Sequence, residues 1–307
     1  MTIDEQSHAE LSRRLEALEK AVNALASQSL TFFQQASNAV NAILHSQAVY
    51  LGNHRALTFL YSGQKIFVDT RSVDIGTHLL LNGLWEQNYV KAFLNLLRPG
   101  NVVLDIGANH GVYALVAAQH VGAAGRVLAF EPNPAFAELI RASVSVNGLS
   151  DVVTVVQAAV SDSVGEVVLI VNPMWSGGAH LQQSADEPDG SNTHRVSCLA
   201  LDDYSGLAGA SVDAIKMDIE GAEGLALQGM RQLIDRSPRL KIMMEFCPSM
   251  LARYPVDAQG VVAFLDGRGF SCWQIAADGS VRPDRWTTLL SEPDRVRNVI
   301  ASRYALT

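Results

Sequence analysis

Carboxylates at the ends of apolar runs are the first chemistry this sequence offers. Val102-Val103-Leu104 leads into Asp105-Ile106-Gly107-Ala108-Asn109-His110-Gly111, and an apolar segment starts at Val112. That order reads as strand, tight loop and helix, which presents helix N-terminal N–H groups to a nucleotide. The dinucleotide fingerprint G-x-G-x-x-G spaces its glycines so that backbone can reach a pyrophosphate. Here the string is D-x-G-x-x-x-G, with an acid two positions before Gly107. A carboxylate there repels a pyrophosphate and attracts a ligand carrying an ammonium, a sulfonium and no phosphate. S-adenosyl-L-methionine is such a ligand. The next apolar run ends at Glu131, where a carboxylate can accept hydrogen bonds from both ribose hydroxyls. Singly, Gly107 reads equally as a helix-entry turn and Glu131 as a solvated strand end. Together, in this order, they favour the cofactor.

Further along, "VDAIKMDIEGAE" puts Lys216, Asp218 and Glu220 on alternate positions of a buried strand and its exit. Burying charges in this way is costly unless they pair or face a site. A structural Lys216–Asp218 or Lys216–Glu220 pair is the plainer alternative. "LKIMMEFCP" repeats the pattern with Glu245 at its end. Asp105, Glu131, Asp218 and Glu245 thus converge on the mouth of one sheet, where open α/β sheets bind ligands.

The elements that must position these acids alternate strand with helix. Strands are expected at residues 64–68, 101–106, 126–131, 152–157, 212–219, 240–246, 270–275 and 298–303. A helix is expected over 78–97. Apolar residues 166–171 and 195–199 flank a polar stretch, Ser184 to Thr193, with the composition of an exposed loop. This alternation predicts a mostly parallel sheet covered on both faces, with an antiparallel edge near the C-terminal end.

Residues 1–50 are different, with no glycine or proline before Gly52. Leu11, Leu15, Leu18, Val22 and Leu25 step by four and three, and Phe32, Ala36 and Ile43 keep the register. Ser29 and Ala39 weaken the seam, while Glu5, Glu10, Arg13, Arg14, Glu16, Glu19 and Lys20 cover the other faces. The heptad predicts a coiled coil that forms a homo-oligomer or docks a partner. An amphipathic helix folded back on its own domain is the alternative. Two domains are therefore expected, 1–50 and 51–307.

The 307 residues carry a formal charge of −8, which speaks against a phosphate-neutralising nucleic-acid binder. Cys198, Cys247 and Cys272 have no metal-ligand spacing and read as reduced core residues, consistent with a cytoplasmic protein. No run approaches the roughly 20 apolar residues of a membrane span.

From about Leu51 onward the sequence resembles the FkbM family of S-adenosylmethionine-dependent methyltransferases. The carrying segments are "GLWEQ" (83–87), "VLDIGANHGVY" (103–113), "VLAFEPNP" (127–134), "NGL" (147–149) and "IKMDIEGAE" (215–223). His110 departs from the pattern, where the family usually has an aliphatic residue. The resemblance implies a Rossmann-like class I methyltransferase with a seven-stranded sheet, one strand antiparallel. It implies methylation of hydroxyls on sugars, glycans or polyketide-like natural products. By position it assigns Glu86, Asp105, Gly107, Asn109, Glu131 and Asn133 to the cofactor. Ala159 would flank the adenine, with Ser161 and Asp162 beside it, and Asp218 and Glu220 would sit where donor meets acceptor.

A sugar hydroxyl is a poor acid, so attack on the methyl group benefits from a positioned base. Asp218 is the first candidate, supported by Lys216 or Glu245. His180, in "WSGGAHL", and His110 compete with it. A divalent cation on Asp218 and Glu245 is less favoured, because the sequence offers no clear third ligand. Trp175, His180, Trp273 and Trp286 are candidate acceptor-pocket residues. A nucleic-acid methyltransferase is disfavoured by the lack of an N/D-P-P-aromatic loop, since Asp218-Ile219-Glu220-Gly221 stands in its place. A non-catalytic S-adenosylmethionine-binding protein or scaffold that recruits partners through its N-terminal helix is the alternative to an enzyme.

Overall fold

The structure, a computed structural model, describes residues 3–45, 48–182 and 193–306. The polar loop expected at Ser184–Thr193 lies outside the described residues, apart from Thr193. The absence of helix breakers lets one helix, α1 (Ile3–His45), run for 43 residues. Its described side chains are exposed apart from a half-buried Ala36, so α1 does not fold back onto the rest of the chain. The side chains of Glu5 and Ile43 lie outside the described residues.

A three-stranded antiparallel sheet follows, β1 (Val49–Gly52), β2 (Arg55–Phe59) and β3 (Lys65–Asp69). The helix expected over 78–97 is two, α2 (Ile75–Asn82) and α3 (Gln87–Leu96). Gly83 divides them by taking a left-handed φ of 65°, and a Cβ there would lie 2.3 Å from the Phe59 carbonyl oxygen.

The central sheet begins with β4 (Val102–Ile106), α4 (Val112–Val121), β5 (Arg126–Phe130), α5 (Pro134–Val146) and β6 (Val153–Val156). A four-stranded sheet interrupts it, made of β7 (Ala159–Val160), β8 (Gly165–Asn172), β9 (Trp175–Leu181) and β10 (Thr193–Leu199), in the order β7-β10-β8-β9. The central sheet resumes with β11 (Ala214–Met217), α6 (Glu223–Gln228), α7 (Arg231–Asp235), β12 (Lys241–Phe246), α8 (Pro248–Leu251) and α9 (Ala258–Asp266). It ends with β13 (Ser271–Ile275), β14 (Val281–Asp284), α10 (Trp286–Leu290) and β15 (Arg297–Ser302).

This sheet is a Rossmann-like methyltransferase sheet in the order β14-β13-β15-β12-β11-β4-β5-β6. It has eight strands where seven were expected, because β14 adds a hairpin partner to β13. Nor is the antiparallel strand confined to the edge: β15 lies between β12 and β13 and runs antiparallel to both.

Strand alternation sorts the core into two faces. Val103 of β4 and Ala214 of β11 pack with α3 and α4, whereas Leu104, Ile106, Ile215, Met217, Ile242 and Met244 pack with α7 and α9. Asp105 and Lys216 share the first face and are direct cross-strand neighbours in the parallel register. The three cysteines are free and buried. Among the described residues, no helix is long and apolar enough to cross a membrane.

Candidate active site

The turn after β4 is shaped by what it passes. Gly107 has a φ of 80°, and a Cβ there would lie 2.0 Å from the Asp218 carbonyl oxygen, so backbone crosses backbone at the carboxyl ends of β4 and β11. Asn109, also left-handed at φ 51°, turns its N–H to Glu131 Oε2 at 2.7 Å. Asn133 donates its N–H to Glu131 Oε1 at 2.8 Å and caps α5 by accepting from Ala135. Two amides thus fix the buried Glu131 carboxylate, and each oxygen keeps a lone pair for a ligand. Burial pushes Glu131 up to about 7 despite these amides.

Asp105 is 1% exposed, and neither of its carboxylate oxygens has a hydrogen-bond partner. Burial pushes it up to about 6, and the Lys216 charge restrains the rise. Burial also works to lower Lys216, but Asp218, Asp105 and Glu86 outweigh it and hold the ammonium above its usual value. Lys216 Nζ lies 3.4 Å from Asp218 Oδ2 and 4.8 Å from the centre of the Tyr113 ring. Tyr113 donates its hydroxyl hydrogen to Glu86 Oε2 at 2.9 Å, and burial raises Glu86. Three acids against one lysine leave this region net negative. An orphaned buried carboxylate in such a field fits a ligand with an ammonium and a sulfonium.

A cleft with about 600 Å³ of open space lies at these strand ends, and Glu86, Asp105 and Lys216 are not among its lining residues. Gly107, Asn109, Glu131, Ala159, His180, Asp218 and Glu220 line it. A smaller adjoining space is lined by Tyr113, Lys216 and Asp218. Ala159 is where the resemblance puts an adenine neighbour, whereas Ser161 and Asp162 do not line the cleft.

Past Asp218 the acids crowd together. Carboxylate oxygens of Asp218, Glu220 and Glu245 all lie within 4.8 Å of one another. Glu220, left-handed at φ 57°, is the member that β-strand spacing alone does not bring to Glu245. Burial first, then neighbouring acids led by Asp218, pushes Glu220 up to about 8 and Glu245 up to about 9. Glu223, buried behind them, accepts from the Ile219 and Gly221 amides and rises to about 7, chiefly through burial. Glu220 thus stands as a third carboxylate beside the two the sequence offered for a cation.

A network the sequence did not suggest holds the β8–β9 hairpin against the cleft. Asp74 accepts from the Gly177 amide (2.8 Å), the Ser176 hydroxyl (3.1 Å) and the Ser72 hydroxyl (2.6 Å). Burial acts to raise Asp74, but these donors outweigh it and keep its carboxyl below the usual range. Asn109 Nδ2 donates to the Ser176 carbonyl at 2.9 Å, tying the hairpin to the cofactor loop. The partners lie far apart in the chain, so only the S-x-D turn at residues 72–74 could have signalled them.

Four candidates are displaced. His110 is buried: the Asp69 N–H donates to its Nε2 at 3.3 Å, so Nδ1 carries the hydrogen that Asn109 Oδ1 accepts at 2.6 Å. Burial lowers it to about 4, so it braces the loop as a neutral ring and is no free base. Trp273 and Trp286 are 8% exposed members of the two sheet cores, and the Trp286 Nε1 hydrogen bonds the Phe270 carbonyl. They are core residues because β13 and α10 turn them inward. Trp175 is exposed on the hairpin and does not line the cleft. His180 does line it, with Nδ1 3.0 Å from the Gly178 carbonyl.

The sequence profile described as "Methyltransferase FkbM domain" matches residues 105–272, more than half of the chain. A 57-residue segment is 47% identical to an arginine N(omega)-methyltransferase from Streptomyces achromogenes subsp. streptozoticus. It covers 19% of this chain and 15% of that protein. A 41-residue segment is 49% identical to a ribosomal RNA large subunit methyltransferase E from Sorangium cellulosum (strain So ce56), covering 13% and 19%. The chain therefore spans less than a fifth of the curated relatives it matches. Among solved structures, a methyltransferase FkbM from Methylobacillus flagellatus KT is 17% identical with a TM-score of 0.40, over 76% of this chain and 56% of that one.

Proposed function

The chain belongs to the FkbM-domain methyltransferases, and from that premise we propose that it moves a methyl group from S-adenosyl-L-methionine to a hydroxyl of a sugar, glycan or polyketide-like acceptor. The observation that carries this reading is the meeting of two constellations on Asp218. Asp218 lines the cleft together with Glu131 and a smaller adjoining space together with Lys216, the cross-strand neighbour of Asp105. Its carboxylate also lies within 4.8 Å of those of Glu220 and Glu245.

When bound, the cofactor supplies an electrophilic methyl group on a sulfonium. Everything else falls to side chains of this chain. Glu131 accepts from the ribose hydroxyls, with its orientation set by the Asn109 and Asn133 amides. Asp105 and Glu86 neutralise the ammonium end, and Gly107 lets the loop pass close to the cofactor. Ala159 flanks the adenine. Asp218 receives the hydroxyl proton as the acceptor attacks. Burial and mutual repulsion push Glu220 up to about 8 and Glu245 up to about 9, which favours their neutral forms, and Asp218, 3.4 Å from the Lys216 ammonium, is the carboxylate placed to take the proton. Lys216 keeps it oriented. His180 faces the acceptor from the hairpin side.

A nitrogen acceptor is the second reading. The same three carboxylates suit a guanidinium or ammonium, and the 47% identical segment belongs to an arginine-methylating relative.

Calorimetric titration with S-adenosylhomocysteine, with NAD as control, tests the cofactor. Micromolar binding of the first, none of NAD, and loss in Glu131→Ala are expected. No binding to folded, cofactor-free protein would move the chain to the scaffold reading. Radiolabelled methyl transfer to hydroxyl acceptors and to guanidino and amino compounds then separates the two enzyme readings. Label in an alkali-stable ether supports oxygen, and label in an N-methyl product supports nitrogen.

A further inference from the structure

Helix α1 carries an apolar stripe that nothing among the described residues of its own chain covers. Leu11, Leu15, Leu18, Val22, Leu25 and Phe32 are all more than half exposed. A lone helix draws most of its stability from packing an apolar face, and monomers rarely leave so long a stripe uncovered. The stripe repeats every 3.5 residues, which twists it into a left-handed seam matched by a second helix of the same period.

The heptad places Leu11, Leu18, Leu25, Phe32 and Ala39 at d and Leu15, Val22, Ser29 and Ala36 at a. Leu18 and Leu25 at d flank Val22, the one β-branched residue at a, and that combination favours two strands in parallel. The flanks identify the occupant. Arg14 falls at g and Glu19 at the following e, the two positions that meet across a parallel, in-register pair. A second copy of α1 therefore offers Glu19 to Arg14 and Arg14 to Glu19, so two symmetric ion pairs form from one sequence. Arg14 Nε already donates to Glu10 of its own helix at 3.0 Å, which extends the side chain along the flank. The next g and e positions, Ala21 and Ala26, let the backbones approach. We propose that α1 pairs with α1 of a second copy as a parallel two-stranded coiled coil, in register from Leu11 to Ala39, holding two catalytic domains at the same end.

Light scattering of the full chain is expected to give twice the 33.1 kDa chain mass. Leu18→Lys with Leu25→Lys is expected to give the single-chain mass with unchanged near-ultraviolet circular dichroism, because these side chains touch nothing in the catalytic domain. Arg14→Glu is expected to raise the dimer dissociation constant about tenfold, and adding Glu19→Arg to restore it. The native cysteines are buried, so Leu11→Cys supplies an exposed thiol that cross-links the pair on oxidation only if the helices are parallel and in register. A single-chain or threefold mass for the unaltered protein overturns the proposal. So does a dimer that survives the paired lysines, or a Leu11→Cys chain that stays uncross-linked.

Discussion

At one end of the cleft, Glu131 takes two backbone amides and Asp105 sits sealed beneath the sheet surface. At the other end, Asp218, Glu220 and Glu245 crowd within 4.8 Å with little to neutralise them but Lys216. Both ends are acidic, yet their acids are held differently. The cofactor end is fixed by main chain, which cannot move without moving β4 and β5. The acceptor end is a set of half-buried side chains whose mutual repulsion is relieved only by protons or by a ligand. In the proposed reading, the first arrangement suits a cofactor of one fixed shape, and the second suits an acceptor whose binding relieves the repulsion.

Four substitutions sharpen or break this contrast. Asp218→Asn should act on turnover alone, lowering kcat about 100- to 10,000-fold while the S-adenosylhomocysteine affinity stays within a few-fold. Equal losses in both would mean that the residue belongs to the cofactor end. Glu131→Ala should do the reverse, weakening cofactor binding roughly a hundredfold through lost charge-assisted hydrogen bonds of about 3 kcal/mol.

Asp74→Ala releases the hairpin without touching either acid cluster. Cofactor affinity should fall about tenfold, with saturated kcat nearly unchanged. Amide exchange over residues 172–181 should quicken, and an unaltered exchange rate would remove Asp74 from any role in holding the hairpin.

The smallest effect separates the ends by pH. Glu245 keeps its proton in the folded chain up to about pH 9, whereas an unfolded glutamate releases it near about pH 4.3. Between those values the folded state binds more protons, so this group makes stability fall as pH rises, with no further change above the folded value. Glu245→Gln should therefore melt roughly 2–4 °C above the parent at pH 8, for about 1 kcal/mol, and level with it near pH 4. A variant that melts lower at pH 8 would show that the charged carboxylate stabilises the fold.

The cofactor end was legible in the sequence because its parts are local. Asp105, Gly107 and Asn109 lie in one turn, and Glu131 follows at the next strand end, so spacing alone placed them. The acceptor end was half legible. Alternation at the strand ends gave Asp218, Glu220 and Glu245, but the left-handed turn at Glu220 that brings all three within 4.8 Å has no signature in the sequence. His110 looked like a base because its burial depends on contacts with Asp69, in β3, and with Phe136, in α5. Trp273 and Trp286 looked like sugar platforms for the same reason, since inward-facing aromatics on short elements have no pattern of their own. The two smaller sheets were only partly anticipated. A single strand's pairing partners are not written in its own residues.

The place of β15 between β12 and β13 bears on the order of assembly. Both strands it bonds are made before it, so β12 must wait with an open edge until Arg297–Ser302 arrives. By contrast, β4, α4 and β5 are contiguous, and their pairing closes only short loops. Refolding followed by pulsed exchange should therefore protect the Asp105–Glu131 strands first. Glu245, paired in register with Asn298, should join last. A chain caught midway would already have its nucleoside cradle but would leave a sticky strand edge exposed beside the unfinished half.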